Sequence, residues 1–191
     1  MELKYNKIQT TGTDTLLKIV KGHFATNHAH TNYYFDLTTV KSRLSEAGGI
    51  AQALVHMYLA QELTKGGFMS KNAHKTIYVI KPEFNSNSQI VFKDNYRAMI
   101  NGKNVLILTA TVTTGLTINK AIEGVQYYGG IIQGISAVFS ALENVNGIPI
   151  KSVFGLKDVP DYQYSDYRNC PLCKEGKKLD ALINPYGYSK L

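Results

Sequence analysis

The sequence predicts an α/β fold, a parallel sheet flanked by helices, and three features of one stretch carry that reading. Val105, Leu106, Ile107 and Leu108 form a continuous apolar run, the pattern of a strand buried on both faces. Ile118, Ala121, Ile122 and Val125 then recur at helical spacing, and Gly129-Gly130 supplies a stop. The segment IIQGISAVFS follows as a second strand. Strand, loop, helix and strand in this order make a βαβ unit with a right-handed crossover.

The other elements are read in chain order. Thr13 or Asp14 is a suitable N-cap, so a short helix is expected over residues 15–20, followed by a short strand over 33–37. Residues 45–65 read as a helix. Ala47, Ile50, Ala51, Leu54, Val55, Tyr58 and Leu59 share one apolar face, and Gly66-Gly67 close it. KTIYVIK, at 75–81, reads as a buried strand stopped by Pro82, and a further short strand is expected at 89–92. Asn101-Gly102 signals a turn. Two regions are expected: an α/β domain over 1–158, and a tail over 159–191, irregular in structure and packed on the domain or on a dimer mate.

Composition bounds the partners. The chain has 191 residues, 44% of them hydrophobic and 18% charged, enough apolar material for a buried core. The net charge of +7 favours an anionic partner. The basic residues are spread without interleaved aromatics, so nucleic acid is not the expected one. No apolar run reaches the ~18 residues of a membrane span, and the first residues hold no apolar signal core, so a cytoplasmic protein is expected.

Residues 109–117 lie between the apolar strand and the helix start. Free backbone amides and the helix dipole favour an anion there, and Gly115 allows close approach. Thr113, Thr114 and Thr117 add hydroxyl donors. The reading is a phosphate cradle, and the alternative is an ordinary strand-to-helix turn. A Walker loop is excluded because no G-K-[ST] ending is present, and a dinucleotide fingerprint because G-x-G-x-x-G is absent.

VLILTATVTTGLT resembles the 5-phosphoribosyl-1-pyrophosphate (PRPP) motif of type I phosphoribosyltransferases: four apolar residues, two acids, two variable residues, then T-T-G-x-[ST]. GHF…HTNYYFDL and NCPLCKEG are similar to segments of the orotate branch of that family. The resemblance implies a parallel sheet with a small N-terminal hood. It implies transfer of ribose 5-phosphate from PRPP to a pyrimidine such as orotate, with Mg²⁺ as cofactor, in a homodimer. Thr113, Thr114, Gly115, Leu116 and Thr117 would hold the 5′-phosphate of PRPP or of a nucleoside monophosphate.

The sequence departs from that pattern in four places. Thr109 and Ala110 stand where the family carries two acids next to the ribose. No strand interrupts the helix-like stretch over 47–63, where a pyrophosphate loop belongs. The stretch equivalent to the family's flexible loop offers Lys93, Arg97 and Lys103 but no His. His28-Ala29-His30 replaces an S-G-K segment. The phosphate end of the site looks retained and the catalytic end eroded. A non-catalytic, regulatory phosphate- or nucleotide-binding protein is the alternative to an enzyme.

Cys170 and Cys173, in C-P-L-C, have the spacing of one zinc knuckle. A structural zinc takes four ligands, so His residues or a dimer mate must supply the rest; the simpler reading is a pair of reduced thiols. His23, His28 and His30 are read as surface loop residues, with metal ligation as the alternative. The tyrosines at 127 and 128 are read as packing residues, and those of the tail as docked.

Overall fold

The computed structural model describes residues 4–10, 16–37, 76–85, 89–184 and 187–191. The chain divides into two compact units, Met1–Gly49 with Phe154–Leu191, and Ile50–Val153.

Among its described residues the first unit carries a six-stranded sheet. Its centre is the antiparallel hairpin of β2 (Leu16–Ala25) and β3 (His30–Asp36). β1 (Tyr5–Gln9) pairs antiparallel with the first half of β2. On the same edge, β11 (Ala181–Asn184) pairs parallel with the end of β2, placing Ala181 opposite Phe24. β12 (Gly187–Lys190) continues from β11, and β10 (Tyr164–Ser165) covers the outer edge of β3. Val20, Phe24, Tyr34 and Ala181 form the core of this sheet, with Ile183 and Tyr188 against it.

Two expectations change here. Residues 15–20 do not start a helix, because Leu16 onward belongs to β2. Leu17, Ile19 and Val20 are buried while Leu16 is exposed, and the β-branched pair suits a strand flanked on both sides. The C-terminal segment is also more regular than expected: β10 and β11 tie it to the hairpin, and β12 pairs with β11.

In the second unit, β4 (Glu83–Phe84) and β5 (Ile90–Val91) form a small antiparallel pair. A turn of 3₁₀ helix (Asp94–Tyr96) and the single turn α1 (Arg97–Ile100) lead into β6 (Asn104–Val112). α2 (Leu116–Tyr127) returns the chain to β7 (Ile131–Ser140), which pairs parallel with β6, as the βαβ reading requires. β8 (Asn144–Val145) and β9 (Ile148–Gly155) complete a four-stranded sheet in the order β6-β7-β9-β8.

α2 buries the face read from the sequence: Ile118, Ala121, Ile122 and Val125. Gly129, at φ 79°, is the left-handed residue after the helix. Its N–H donates to the Gln126 carbonyl and the Gly130 N–H to that of Val125, which is a Schellman stop.

Three further readings are corrected. Residues 76–81 form no strand, and Tyr78 and Val79 are exposed; a segment without a ladder partner cannot satisfy its backbone as a buried strand. β6 is not buried on both faces: Leu106 is 46% exposed, and among the described residues β6 is the outer strand of its sheet. Tyr127 is exposed, whereas Tyr128 packs edge-on against Phe92. The helix expected over 45–65 lies outside the described residues.

The burial contrast gives a test. Ile135→Ala, in the core behind β7, should cost about 2–5 kcal/mol in urea denaturation. Leu106→Ala should cost about 0.5 kcal/mol or less. Equal costs would show that β6 is a covered strand.

Candidate functional site

Two places gather chemistry, one in each unit. The first is the turn from β6 into α2. Gly115 is the N-cap of α2 in the left-handed conformation, φ 77° and ψ −5°. A Cβ at Gly115 would lie 3.1 Å from Val145 Cγ2 and 3.2 Å from Leu142 Cδ1, so glycine is required for conformation and for space. The N-cap, being glycine, offers the helix start no side-chain cap. The Leu116 N–H makes only a long contact, 3.4 Å, to Thr114 Oγ1. The Gly115 carbonyl accepts from the Asn119 N–H at 2.8 Å, the first bond of the helix. The amides ahead of it point out of the helix start, where its dipole is positive.

Leu116 and Thr117 are exposed, and Thr113 and Thr114 are half-buried. The turn is therefore open on the side an anion would approach. Thr109 and Ala110 lie just before it on β6, half-buried, with Thr109 opposite Ala137 on β7.

Lys93, Arg97 and Lys103 sit elsewhere. Lys93 pairs with Glu83 at 3.1 Å, Arg97 opens α1, and Lys103 directly precedes β6. The nine residues of β6 put roughly 30 Å of extended chain between Lys103 and the turn.

The second place is a cluster of two His and two Cys. β2 and β3 shift register between Lys21 and Phe24, so that Gly22 and His23 bulge opposite Asn32. The bulge is held from outside the hairpin: the His23 N–H donates to Asp180 Oδ2 at 2.7 Å, and the His23 carbonyl accepts from the Asp180 N–H at 2.8 Å. Gly22 makes room for this, since a Cβ there would lie 2.7 Å from the same carboxylate oxygen. His30, opposite Ala25 across the hairpin, starts β3.

The two cysteines come from the segment between β10 and β11. Cys170 precedes the short helix α3 (Pro171–Lys174), with Pro171 in its first turn. The Lys174 N–H donates to the Cys170 carbonyl and the Lys177 N–H to that of Leu172, forming a tight knuckle that brings Cys173 beside Cys170. One ligand atom from each of His23, His30, Cys170 and Cys173 lies within 4.8 Å of the others. His23 and Cys170 are buried, His30 is half-buried and Cys173 is exposed. This group could hold a metal ion.

Burial, together with the neighbouring His23, holds His30 below its ordinary pKa. Burial opposes ionisation of Cys170, but hydrogen bonds from the Cys173 and Leu172 backbone and from the Ser165 and Cys173 side chains outweigh it and lower its pKa. Cys173 is raised by desolvation and by its bond to Cys170.

Reading His23 and His30 as surface loop residues is thus corrected. Both lie on strands, and the bulge and the knuckle turn them toward the thiols. His28 sits at the exposed tip of the hairpin turn, which Thr26 closes by accepting from the Ala29 N–H at 2.9 Å, and it is outside the cluster. A register bulge leaves no periodic mark in the sequence, so the pairing of two histidines with two distant cysteines was not legible there.

A network beside the cluster fixes the start of β10. Asp161 accepts from Lys21 and from the Tyr33 hydroxyl, and its carbonyl accepts from Asn32 Nδ2 at 2.6 Å. Asn32 Oδ1 in turn accepts from the Gln163 N–H at 2.7 Å. The bond from Lys21, then that from Tyr33, holds the Asp161 carboxyl below its ordinary value of 3.8.

No protein-family model matches the chain. It is 33% identical over 83 residues to an orotate phosphoribosyltransferase of Thermus thermophilus, covering 42% of this chain and 43% of that one. It is 32% identical over 80 residues to an orotate phosphoribosyltransferase of Caldanaerobacter subterraneus, covering 41% and 40%. The match spans about two-fifths of the length of these curated relatives. A solved phosphoribosyltransferase from Corynebacterium diphtheriae gives a TM-score of 0.43 at 18% identity, over 73% of this chain and 91% of that one. The sequence likeness is to orotate phosphoribosyltransferases and extends over about two-fifths of the chain.

The Asp161 network sets a pH dependence. A depressed carboxyl pKa stabilises the fold above the ordinary carboxylate range, and that stability is lost as the pH falls through the folded value. Asp161→Asn should therefore lower the melting temperature near neutral pH. The gap to the wild type should close on acidification below pH 3.8, as followed by thermal melts across pH. A gap that persists unchanged in acid would assign the effect to packing.

Proposed function

We propose that the turn formed by Thr113, Thr114, Gly115, Leu116 and Thr117 binds the 5′-phosphate of a ribose phosphate ester, such as PRPP or a nucleoside monophosphate. One observation carries this reading. A left-handed glycine, which offers no side-chain cap, opens a helix at the carboxyl end of a parallel strand, where such folds bind ligands. The relatives' names support the choice of a phosphoribosyl ester over other anions.

The residues near the turn suit phosphate better than transfer chemistry. Mg²⁺ takes oxygen ligands, usually with one or two carboxylates. Residues 109–117 contain none: Thr109 offers a neutral hydroxyl and Ala110 a methyl group. Mg²⁺ does not fit this donor set.

What these residues can do is hold and orient a phosphate. The amides donate to its oxygens, the helix start favours its charge, and the Thr hydroxyls add bonds. Binding of a phosphate ester, with weak or no transfer, is the function this arrangement supports best. A second reading, transfer of the phosphoribosyl group to a pyrimidine such as orotate in a homodimer, rests on the relatives' names and needs carboxylates from outside the turn.

Calorimetric titration tests both. PRPP and a nucleoside 5′-monophosphate should bind more tightly than inorganic phosphate, with little change on adding Mg²⁺. Gly115→Ala should weaken that binding by about tenfold or more, as charge-assisted bonds of about 1.5–3 kcal/mol are lost. Affinity equal to that of inorganic phosphate and indifferent to Gly115→Ala would overturn the phosphate reading. Tight Mg²⁺-dependent binding with orotate-dependent release of pyrophosphate would establish the second.

The double change Thr109→Asp with Ala110→Asp restores the missing charges. It should make PRPP binding stronger in Mg²⁺ than without it. An unchanged affinity would place the defect in the pyrophosphate unit instead.

A further inference from the structure

We propose that His23 Nε2, His30 Nδ1, Cys170 Sγ and Cys173 Sγ bind one Zn²⁺ ion that clips the C-terminal segment onto the β2–β3 hairpin. The distances carry the identification. With Zn–N of about 2.0–2.1 Å and Zn–S of about 2.3 Å, a tetrahedron has edges of about 3.3 Å between nitrogens and about 3.6 Å between nitrogen and sulfur. The two histidine nitrogens lie 3.2 Å apart. Cys170 Sγ and Cys173 Sγ lie 3.4 Å and 3.6 Å from His23 Nε2, and Cys173 Sγ lies 3.3 Å from His30 Nδ1. These four separations match tetrahedral edges, and all four donors lie within 4.8 Å of one another, close enough to converge on one ion.

The contacts crowded around His23 Nε2 point the same way. His23 Nδ1 contacts the Lys177 carbonyl at 3.0 Å, and a carbonyl only accepts, so Nδ1 carries the proton. Nε2 of the neutral ring is then an acceptor with one lone pair. Three groups capable of donating converge on it: His30 Nδ1, Cys170 Sγ and Cys173 Sγ. One lone pair cannot serve all three, whereas a cation at their centre takes a lone pair from each of the four donors. The Lys177 carbonyl is also the outer partner that commonly orients a metal-bound imidazole.

The donor set selects the ion. Two thiolates and two imidazoles in a tetrahedron suit Zn²⁺ over Mg²⁺ or Ca²⁺, which take oxygen. Loading displaces the two thiol protons, so the site with its ion is neutral and can sit partly buried. All four positions come from protein and none is left for a substrate, so the site is structural. It is independent of the phosphate turn and of any transfer chemistry there.

The ion would close a loop around the sheet. His23 and His30 lie on adjacent strands, and the knuckle sits between β10, which pairs with β3, and β11, which pairs with β2. The clip thus joins the segment at its midpoint to the two strands its ends already touch.

The test uses the full chain purified without chelator. Elemental analysis should find one zinc per chain. Exchange for Co²⁺ should give the visible bands of a tetrahedral ion and a thiolate-to-metal band in the near ultraviolet. Cys173→Ser changes an exposed ligand and should bring the zinc content below about a tenth of that of the wild type, with the far-ultraviolet dichroism retained. His28→Gln, a histidine at the nearby hairpin tip, should keep full zinc. Folded wild-type protein that takes up neither metal overturns the proposal. So does a Cys173→Ser variant that keeps its zinc, or a His28→Gln variant that loses it. The Co²⁺ spectrum of the wild type decides the matter even where a variant fails to fold.

Discussion

The backbone clamp between His23 and Asp180 is the constraint on which the first unit depends. A bulge in β2 leaves the amide and carbonyl of His23 turned away from the hairpin ladder, and buried backbone groups must find partners. The carboxylate and N–H of Asp180 supply both. That reciprocal pair starts β11 in register beside Phe24, which completes the sheet edge. It also fixes the imidazole of His23 against the Lys177 carbonyl, only three residues before Asp180. One clamp therefore sets the strand order and the orientation of a side chain that meets both cysteines. Gly22 is the sequence condition for it, because any larger residue would occupy the position of the carboxylate.

The same logic of closure governs the second unit at the phosphate turn. The left-handed Gly115 reverses the chain between β6 and α2, and Val145 and Leu142 fill the space against it. Those two residues belong to the core that also holds Ile118, Ile122 and Ile135. The cradle is thus backed by packed side chains and does not depend on a bound ligand for its shape. At the other end of α2, Gly129 and Gly130 stop the helix beside Ile100 and Val105. A helix fixed at both ends presents its first amides in a constant position, which is what recognition of a phosphate requires.

Legibility in the sequence followed the range of the interactions. The βαβ unit was readable because its signals are local: apolar periodicity in α2, glycine stops, and an apolar run on either side. The strand β2 was misread because Thr13 and Asp14 resemble a helix cap, while the residues that make a strand of it, on β1 and β3, act across the sheet. KTIYVIK was overvalued for the opposite reason. Its residues favour a strand, but no neighbouring strand pairs with it among the described residues. The cysteine pair was visible as half a metal site. The other half was hidden, because His23 and His30 reach Cys170 and Cys173 only through a bulge and a parallel pairing more than a hundred residues along the chain.

The substitutions at 109 and 110 separate two demands that an active transferase would combine. Holding a phosphate needs amides, hydroxyls and a fixed helix start, and each of these comes from the backbone geometry around Gly115. Stabilising charge at the ribose needs ionised side chains, and Thr109 and Ala110 supply none. The first demand rests on the fold itself, on β6, α2 and the glycine between them. The second is met only by particular side chains and is lost by two replacements that leave the fold intact. Thr109 and Ala110 are half-buried, and Thr109 pairs with Ala137 and Thr111 with Phe139 in the same register of β6 and β7. This asymmetry, backbone geometry suited to a phosphate beside neutral side chains where the ribose would lie, is what favours the proposal of binding over that of transfer.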